Sequence, residues 1–286
     1  MEKIEIVSNQ NARLIKVLSE KLPQYKYSAF EKALRNKDVL INERRTKENV
    51  FVAIGDNITI FLDATSKKDL YSVFYQDNNI IVFYKDKGIE VCDGEFNIKQ
   101  DYKEKQNIEI YPIHRIDRNT LGLVLFAKSL FTQKILIDCF KKGYILKQYF
   151  AVVSNCQKEE DNLIGYLKKN SGKSEVKIFD TKVAGSVFVQ THYQKRKDIN
   201  VELSLLDVKI SEGKTHQIRA QLAHSKMPIL GDEKYGDTKL NQKYKKHTQC
   251  LQAYKIQFNI PKGNALGYLN DIDLCAKLDK FLEVTK

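Results

Sequence analysis

Cysteine and histidine are sparse in this sequence, and neither is arranged as a metal site. Five cysteines and five histidines occur among 286 residues, there is no C-x-x-C, and the histidines do not cluster. A disulfide framework and a zinc site are therefore not expected, and a reducing compartment is favoured. Neither G-x-x-x-x-G-K-[ST] nor G-x-G-x-x-G occurs, which excludes both usual nucleotide-binding loops. The sequence thus predicts a protein that needs no metal and no organic cofactor.

Long apolar runs are also missing. No uninterrupted apolar stretch approaches the ~20 residues that a membrane helix needs. The first residues, MEKIEIVSNQ, lack the basic and then apolar plan of a secretory signal. We expect a cytoplasmic monomer with no membrane partner.

Positive charge is what the sequence has in excess. Lys and Arg number 48 against 36 Asp and Glu, a formal net charge of +12, and 42% of the residues are hydrophobic. The hydrophobic share suits a globular chain with a core, and the length allows a small and a medium-sized domain. The basic balance favours a polyanionic partner, nucleic acid first.

Apolar spacing divides the chain into a small N-terminal domain, residues 1–65, and a larger domain, residues 70–286. The polar segment DATSKKD, residues 63–69, has the composition of a linker between them. In the small domain two segments with helical spacing come first and short strands follow. We expect Asn11 to cap the first helix and Ser28 to open the second with a capping box.

The strands of the small domain favour RNA binding. A turn is expected at Asn42-Glu43, and basic side chains follow it at Arg44, Arg45 and Lys47. The paired helices, the strand DVLIN and the ending GDNITIF resemble the S4-like RNA-binding domain over residues 11–62. The resemblance implies RNA binding, and a small α+β packing domain is the alternative.

The larger domain reads as an α+β fold. Apolar runs typical of strands recur at 121–127, 149–153, 183–191, 201–210 and 254–260. Few helices lie between them; one is SLFTQKILIDCFKKG, closed by Gly143, and another is THQIRAQLAHSK, opened by Thr215. Many strands with few helices predict a mixed, largely antiparallel β-sheet.

Three stretches of the larger domain form one pattern. They are HRIDRNTLGLVLFAK, LKQYFAVV and SEGKTHQIRAQLAHSKMPILGDEKYG. Together they resemble the RluA-type pseudouridine synthases, whose hallmarks are H-R-L-D-x-x-T-S-G-L-L-L-F-A-K, K-x-Y-x-A-x-V, and G-R-T-H-Q-I-R followed by H-P-I-L-G-D-x-x-Y-G. Order and spacing match over most of residues 71–260. The resemblance implies the pseudouridine synthase fold and the isomerisation of RNA uridines without a cofactor.

The resemblance assigns Asp117 the role of the catalytic aspartate. The reaction needs an ionised carboxylate at the sugar, either as nucleophile toward the anomeric carbon or as base toward the neighbouring sugar carbon, and the sequence leaves both open. Arg219, in THQIR, matches the arginine whose guanidinium keeps this carboxylate charged in a shielded pocket. Tyr149, in KQYFAVV, matches the tyrosine that stacks on the target base and is a candidate to accept the proton from ring carbon 5.

Four further residues are candidates for contact with substrate. A stacked base must be flipped out before it can react, and Arg115 resembles the arginine that fills the vacated place. Lys147 lies two residues before Tyr149 on the same strand face. His216 stands three residues before the arginine of THQIR, one helical turn away. His216 and His114 have hydrogen bonding around the site as their structural alternative.

Three positions depart from the family pattern. The family commonly has K-P-x-G where this chain has KDKG at 85–88, Leu121 replaces a serine, and Gln252 replaces a histidine. None of them removes the three catalytic candidates. We expect them to affect the choice of uridine and the lining of the pocket.

The leading hypothesis is an RNA pseudouridine synthase acting on structured RNA. Ribosomal RNA is favoured because the S4-like domain is common in such enzymes, and transfer RNA remains an alternative target. A second hypothesis is an RNA-binding or ribosome-assembly factor with an inactive synthase body. A third is a hydrolytic glycosidase with paired carboxylates, for which Asp232 is the only nearby second acid.

Overall fold

The chain forms two compact units, Met1–Leu70 and Tyr71–Lys286. The computed structural model describes residues 1–94, 96–170, 175–279 and 282. In this part of the chain, none of the helices combines the length and the apolar character that crossing a bilayer requires.

The N-terminal unit packs two helices on a small antiparallel sheet. Its strands are β1 Glu2–Val7, β2 Ala12–Arg13, β3 Val39–Ile41, β4 Arg44–Thr46, β5 Phe51–Val52 and β6 Asn57–Leu62, and its helices are α1 Leu14–Lys21 and α2 Tyr27–Arg35. The main sheet has the order β1-β6-β3-β4, and β2 pairs with β5. Buried Leu18 and Phe30 from the helices pack with Ile58 and Ile60 of the sheet, which gives this small unit its own apolar core.

The strands β3 and β4 form the hairpin that the sequence predicted at Asn42-Glu43. Both turn residues have positive φ, 47° and 67°, as a two-residue type I′ turn requires. The side chain of Asn42 fixes the turn, because its Oδ1 accepts the Asn57 N–H at 3.0 Å and its Nδ2 donates to Asp56 at 2.9 Å. The hairpin places Arg44 directly after the turn, on an exposed strand.

The expected helix caps are not the ones that form. Helix α2 begins at Tyr27, one residue before Ser28, and no side chain caps it; the predicted capping box is therefore wrong. At α1 the N–H of Ile15 donates to Oδ1 of Asn49 at 2.9 Å, so a side chain from a distant loop takes the role expected of Asn11. A capping partner from outside the local segment cannot be found from local spacing.

The C-terminal unit contains the remaining elements. Its strands are β7 Tyr71–Gln76, β8 Ile80–Lys85, β9 Tyr111–Pro112, β10 Leu121–Ala127, β11 Ile145–Ser154, β12 Glu160–Lys169, β13 Val176–Phe179, β14 Val187–Asp198, β15 Leu203–Ile210, β16 Leu251–Phe258 and β17 Leu274–Cys275. Its helices are α3 Ile98–Gln106, α4 Leu130–Lys141, α5 Gln217–His224 and α6 Thr238–Lys243. The sequence had not predicted α3, α6, β12 or β13.

One large sheet organises the C-terminal unit and confirms the predicted mixed, largely antiparallel α+β class. Its order is β13-β12-β14-β15-β11-β16-β10-β8-β7, with β17 beside β16 and β9 beside β10. The pairing of β10 with β16 is parallel and short, joining Leu121 to Gln252 and Gly122 to Ala253; the other pairings of the described strands are antiparallel. This short parallel contact joins two antiparallel parts of the sheet, one that ends at β16 and one that begins at β10.

Gly122 makes this central contact sterically feasible. Its φ is +115°, and a Cβ at this position would lie 2.0 Å from the carbonyl oxygen of Ala253. No side chain fits in that space, and non-glycine residues rarely adopt this φ. Gly122, the glycine within the segment LGL at the start of β10, is therefore needed for sheet assembly.

We expect Gly122→Ala to destabilise the fold by several kcal/mol, on the scale of the severe backbone clashes. Gly263→Ala is the matched control, because Gly263 has φ +87° and nothing within 4 Å of the added methyl group; it should cost only about 1–2 kcal/mol of left-handed backbone strain. Urea unfolding of the two variants measures the difference. Equal losses of stability would show that β10 and β16 separate easily at this point.

Candidate active site

The turn between β9 and β10 carries Asp117. The N–H of Thr120 donates to the carbonyl of Asp117 at 2.9 Å, which closes the turn just before β10. The neighbouring carbonyl of Arg118 accepts the N–H of Gly88 at 2.9 Å and the ammonium of Lys85 at 2.8 Å. The turn that carries Asp117 is thus held against the segment KDKG by hydrogen bonds.

Lys85 has a structural role that the sequence did not reveal. Its side chain is fully buried and donates to the carbonyl oxygens of Asp86, Ile89 and Arg118 at 2.8, 3.0 and 2.8 Å. Burial lowers the pKa of Lys85 to about 7. The loss of the family proline next to it leaves this lysine and its contacts in place.

Asp117 and Arg219 form the ion pair that the resemblance implied. Nη1 of Arg219 lies 2.8 Å from Oδ2 of Asp117, whose side chain is 25% exposed. The same guanidinium grips a second carboxylate with two bonds, because its Nε and Nη2 lie 2.7 and 2.8 Å from the two oxygens of fully buried Asp232. A planar guanidinium with these three bonds has a defined direction.

The electrostatics around Arg219 keep Asp232 ionised. Burial alone would lower the pKa of Arg219, but the hydrogen bonds and charges of Asp232 and Asp117 outweigh it and raise this pKa. Burial opposes ionisation of Asp232 too, yet Arg219 and the backbone N–H groups of Lys234 and Tyr235 lower the pKa of Asp232. Asp232 is therefore a permanent anion that orients Arg219, and it lacks the proton that a glycosidase's acid would need.

Helix α5 positions Arg219 from an unusual start. The helix begins at Gln217, after His216 in the left-handed region with φ 54°, so Thr215 does not open the helix as expected. The side chain of Gln217 stabilises this start, since its Oε1 accepts the N–H of Lys214 at 3.0 Å and its Nε2 donates to the carbonyl of Gln190 at 3.0 Å.

His216 lies beside the ion pair but is not part of the helix. Its Nε2 is 4.0 Å from Oδ2 of Asp117, and its Nδ1 is 3.0 Å from the hydroxyl of Tyr235. Burial lowers the pKa of His216, although the charge of Asp117 opposes this. His216 is thus neutral near neutral pH, and Arg219 is the cation that pairs with Asp117.

Tyr149 lies in the wall of the same cleft. It is on β11, opposite Val208 of β15 and Ala253 of β16, and its side chain is buried. Burial and, to a lesser degree, the charge of Asp117 raise the pKa of Tyr149. The resting site therefore presents a protonated phenol ring beside the carboxylate.

Two of the predicted substrate contacts, Lys147 and His114, are buried and do not line the cleft. Lys147 is buried, with its Nζ 4.4 Å from the ring centroid of Phe140, and burial lowers its pKa to about 7. His114 is buried with Nε2 3.2 Å from the N–H of Leu125, and burial lowers its pKa to about 3. Neither belongs to the cleft lining, which favours the structural alternative for His114, while the predicted RNA contact of Lys147 stays a prediction. A Cβ on Gly213 would come within 2.4 Å of Nζ of Lys147, which shows how closely this loop covers the lysine.

Arg115 lines the cleft and pairs with two carboxylates. Its side chain is 53% exposed and forms ion pairs with Asp93 and, at 3.8 Å, with Glu90. The remaining predicted RNA contacts lie on the N-terminal unit, where Arg44, Arg45 and Lys47 are exposed. Of these, Arg45 donates from Nη1 to the carbonyl of Lys37 at 2.6 Å.

These side chains surround an open cleft of about 370 Å³. The sequence had predicted five of the lining residues: Arg115, Asp117, Tyr149, His216 and Arg219. It missed the residues that complete the lining: Ile116, Thr120, Ile210, Gly213, Lys214, Gln217, Ile218 and Leu251. In the described parts of the chain, no group of three or more His, Cys, Asp or Glu side chains is arranged to hold a metal ion. The cleft therefore combines an oriented carboxylate with an aromatic ring against which a planar group can stack.

Known proteins resemble this chain in sequence and in fold. A family model described as RNA pseudouridylate synthase matches residues 79–224. A ribosomal large subunit pseudouridine synthase C from Rickettsia typhi is 31% identical in an alignment of 252 positions, which covers 79% of this chain and 82% of that protein. An uncharacterized RNA pseudouridine synthase from Mycoplasma capricolum is 29% identical in an alignment of 292 positions, which covers 92% of this chain and 93% of that one. The structure of human RNA pseudouridylate synthase domain containing 4 superposes with a TM-score of 0.60 at 20% identity, covering 74% of this chain and 90% of the human one.

Proposed function

This chain belongs to the RNA pseudouridylate synthase family, and from that premise we propose that it isomerises uridines of large-subunit ribosomal RNA, with Asp117 as its catalytic residue. The target is supported by the relatives from Rickettsia, which are named ribosomal large subunit pseudouridine synthase C. The observation that carries the catalytic assignment is the bond of 2.8 Å between Asp117 and Arg219 in a cleft that also contains Tyr149.

The reaction exchanges one glycosidic bond for another. The bond from the anomeric carbon to ring nitrogen 1 breaks, and a bond from the anomeric carbon to ring carbon 5 forms. Ring carbon 5 loses its proton and ring nitrogen 1 gains one, so atoms and electrons balance without an oxidant or a reductant. Asp117 supplies the negative charge at the ribose, and its bond to Arg219 holds the carboxylate in place at the cleft.

Tyr149 holds the base during this exchange. Its ring offers a stacking surface of the kind that flipped nucleotides use. The raised pKa keeps its phenol protonated while Asp117 carries its charge. Once the charge of Asp117 is consumed at the ribose, its contribution to that raised pKa disappears, so the phenol can more easily give its proton to ring nitrogen 1 and then, as a phenolate, accept the proton from ring carbon 5.

Arg115 is proposed to fill the space that the target base leaves in the RNA. Its ion pairs with Asp93 and Glu90 are exposed, and exposed pairs of this kind contribute only about 0–1 kcal/mol. The guanidinium can therefore exchange these carboxylates for the RNA at small cost.

The N-terminal unit is proposed to bind RNA phosphates as an S4-like domain. The features that support this are its α+β core and the exposed β4 strand, which carries Arg44 and Arg45 and is followed by Lys47. β4 is an edge strand of its sheet, so it is accessible along one side.

Neutralising all three side chains, Arg44→Gln with Arg45→Gln and Lys47→Gln, should flatten the salt dependence of RNA binding. The slope of log Kd against log salt concentration should fall by about 2–3, because each lost phosphate contact removes roughly 0.7–0.9. Lys3→Gln is the control, since Lys3 lies on β1 at the opposite edge of the sheet, paired with Glu5. Filter binding over a range of salt concentrations measures the slopes. An unchanged slope in the triple variant would assign phosphate binding to the C-terminal unit.

Primer extension on carbodiimide-treated RNA tests the proposed target. Ribosomal RNA from cells that lack the gene should lose stops at specific large-subunit positions, and the gene for the active chain should restore them. Loss of stops in transfer RNA instead would replace the proposed target. Unchanged stops at every position would favour an RNA-binding or assembly factor. The cytoplasmic location and the monomeric state stay predictions.

A further inference from the structure

The outer strands of the large sheet carry a row of aromatic side chains. In the pairing of β13 with β12, Phe179 stands opposite Tyr166, and in the pairing of β12 with β14, Tyr166 stands opposite Phe188. Directly paired residues of antiparallel strands point to the same face. Phe179, Tyr166 and Phe188 therefore form one row across three adjacent strands, which we name the aromatic row.

This row lies on the face of the sheet that is turned away from α5. The opposite face is buried, because Leu167, Ile178 and Val189 pack with Ala220 of α5. The face of the aromatic row is partly open: Phe188 is 54% exposed, and Tyr166 and Phe179 are half-buried. The ring centroids of Tyr166 and Phe188 are 5.8 Å apart, with their planes at 72°. Exposed aromatic side chains grouped in this way mark a contact surface.

Two lysines flank the row on the same face. Lys168 and Lys177 stand opposite each other in the pairing of β12 with β13, and neither forms an ion pair with a described carboxylate. The ammonium of Lys177 lies 5.1 Å from the ring centroid of Phe179. Like charges directly opposite each other on a sheet destabilise it, and an anion bound between them would remove that repulsion. We name Lys168 and Lys177 the lysine pair.

We propose that the aromatic row and the lysine pair bind a single-stranded segment of the substrate RNA outside the catalytic cleft. Bases stack on the exposed rings, and backbone phosphates lie at the lysine pair. Sheets that present aromatic side chains beside basic ones bind unpaired nucleotides in this way, largely without regard to sequence. The proposal rests on the proposed function in taking RNA as the partner, and it adds a site that the catalytic cleft does not contain.

The charges favour RNA over a protein partner on this face. Lysine is depleted at the centre of protein–protein interfaces, whereas here Lys177 lies over the ring of Phe179 at the row itself. Asp180, which follows Phe179, has its Oδ1 2.8 Å from Nε2 of His224. Because neither lysine of the pair forms an ion pair with a described carboxylate, a phosphate bound there can neutralise their charge.

Variants of Phe188 test the stacking in the full-length protein. The probe is a labelled single-stranded oligouridylate of about 12 nucleotides, which is long enough for one site, and its binding is measured by fluorescence anisotropy. Phe188→Ser should bind it about 5- to 10-fold more weakly, as expected for the loss of one stacked base. Phe188→Leu should lose nearly as much, because leucine keeps the apolar area without a ring. Phe131→Ser is the control, since Phe131 is 72% exposed at the start of α4 and lies outside the row; its affinity should equal the wild type.

Variants of the lysine pair test the phosphate contact. Lys168→Gln with Lys177→Gln should reduce the salt slope of oligouridylate binding by about 1.4, or roughly 0.7 for each charge. Lys239→Gln, at an exposed lysine of α6, should leave the slope unchanged. With the ribosomal substrate, the variants of both kinds should raise KM and keep kcat, since none of them touches the cleft.

Three outcomes would overturn the inference. Phe188→Leu that binds like the wild type would show that no base stacks there. An unchanged salt slope in the lysine variant would remove the phosphate contact. A wild-type dimer that Phe188→Ser converts to a monomer in size-exclusion chromatography would make the face an interface between two copies of this chain. Failure of the proposed function would give a different result from failure of this inference. In that case the wild type would form no pseudouridine, while oligouridylate binding would still depend on Phe188.

Discussion

Asp117→Asn should lower kcat by about 10⁴- to 10⁶-fold, the scale of losing a nucleophile or an essential base. The amide has nearly the shape of the carboxylate but carries no charge to use at the ribose. Arg219 keeps its two bonds to Asp232, so the cleft should retain its geometry. RNA affinity should change by less than about threefold, because the amide keeps the shape of the carboxylate and the other contacts to RNA are unchanged. Single-turnover kinetics and filter binding measure the two quantities separately.

Asp93→Asn is the matched control for that experiment. Asp93 is also acidic and also bonded to an arginine at the cleft, Arg115, but it lies on the exposed side of that pair. Its kcat should remain within a fewfold of the wild type. A large loss of RNA affinity in Asp117→Asn, with kcat kept, would instead mean that Asp117 positions the RNA and does no chemistry.

Arg219→Met should cost both activity and stability. It removes the cation that pairs with Asp117, and it leaves Asp232 as a buried carboxylate without its partner. Removing one member of a buried pair typically destabilises a protein by about 3–5 kcal/mol, so urea unfolding should shift by that amount. We expect kcat to fall by about 10³-fold or more, on the scale of losing an oriented charge in a catalytic site.

A double variant separates the two effects of losing Arg219. Arg219→Met with Asp232→Asn leaves no unpaired buried charge, and the Asn carbonyl can still accept the N–H groups of Lys234 and Tyr235. Stability should therefore return to within about 1–2 kcal/mol of the wild type, while kcat stays low. Recovery of activity along with stability would reduce Arg219 to a structural residue.

The sequence predicted the pairing of Asp117 with Arg219 because its three motifs are long and ordered. Asp117 and Arg219 are 102 residues apart, and only the resemblance joined them. Asp232 shows the limit of this approach. Its place in LGDEKYG suggested a second acid, whereas its oxygens are occupied by Arg219 and two backbone N–H groups. Spacing along the chain does not show which hydrogen bonds a carboxylate has already accepted.

Burial was the property that the sequence predicted least reliably. His114 and Lys147 stand close to cleft residues in the chain but are buried and do not line the cleft. Lys85 appeared only as part of an altered turn, although it binds three carbonyl oxygens. The sequence does not distinguish a buried lysine from an exposed one, because only the fold shows which carbonyl groups need a hydrogen-bond donor.

The aromatic row was missed for a related reason. Strand β12, EDNLIGYLKK, mixes charges with apolar residues on both faces, so its period of two is weak. Only the register with β13 and β14 places Tyr166 between Phe179 and Phe188. Cross-strand neighbours of this kind come from pairing, which a single strand does not encode.

Tritium release from large-subunit ribosomal RNA labelled at ring carbon 5 of uridine tests the central claim most directly. The wild-type chain should release tritium in step with pseudouridine formation and produce no free uracil, because the base is rejoined to the same ribose. Asp117→Asn should release tritium at the background rate. Release at the wild-type rate by Asp117→Asn would contradict the assignment of the chemistry to this carboxylate.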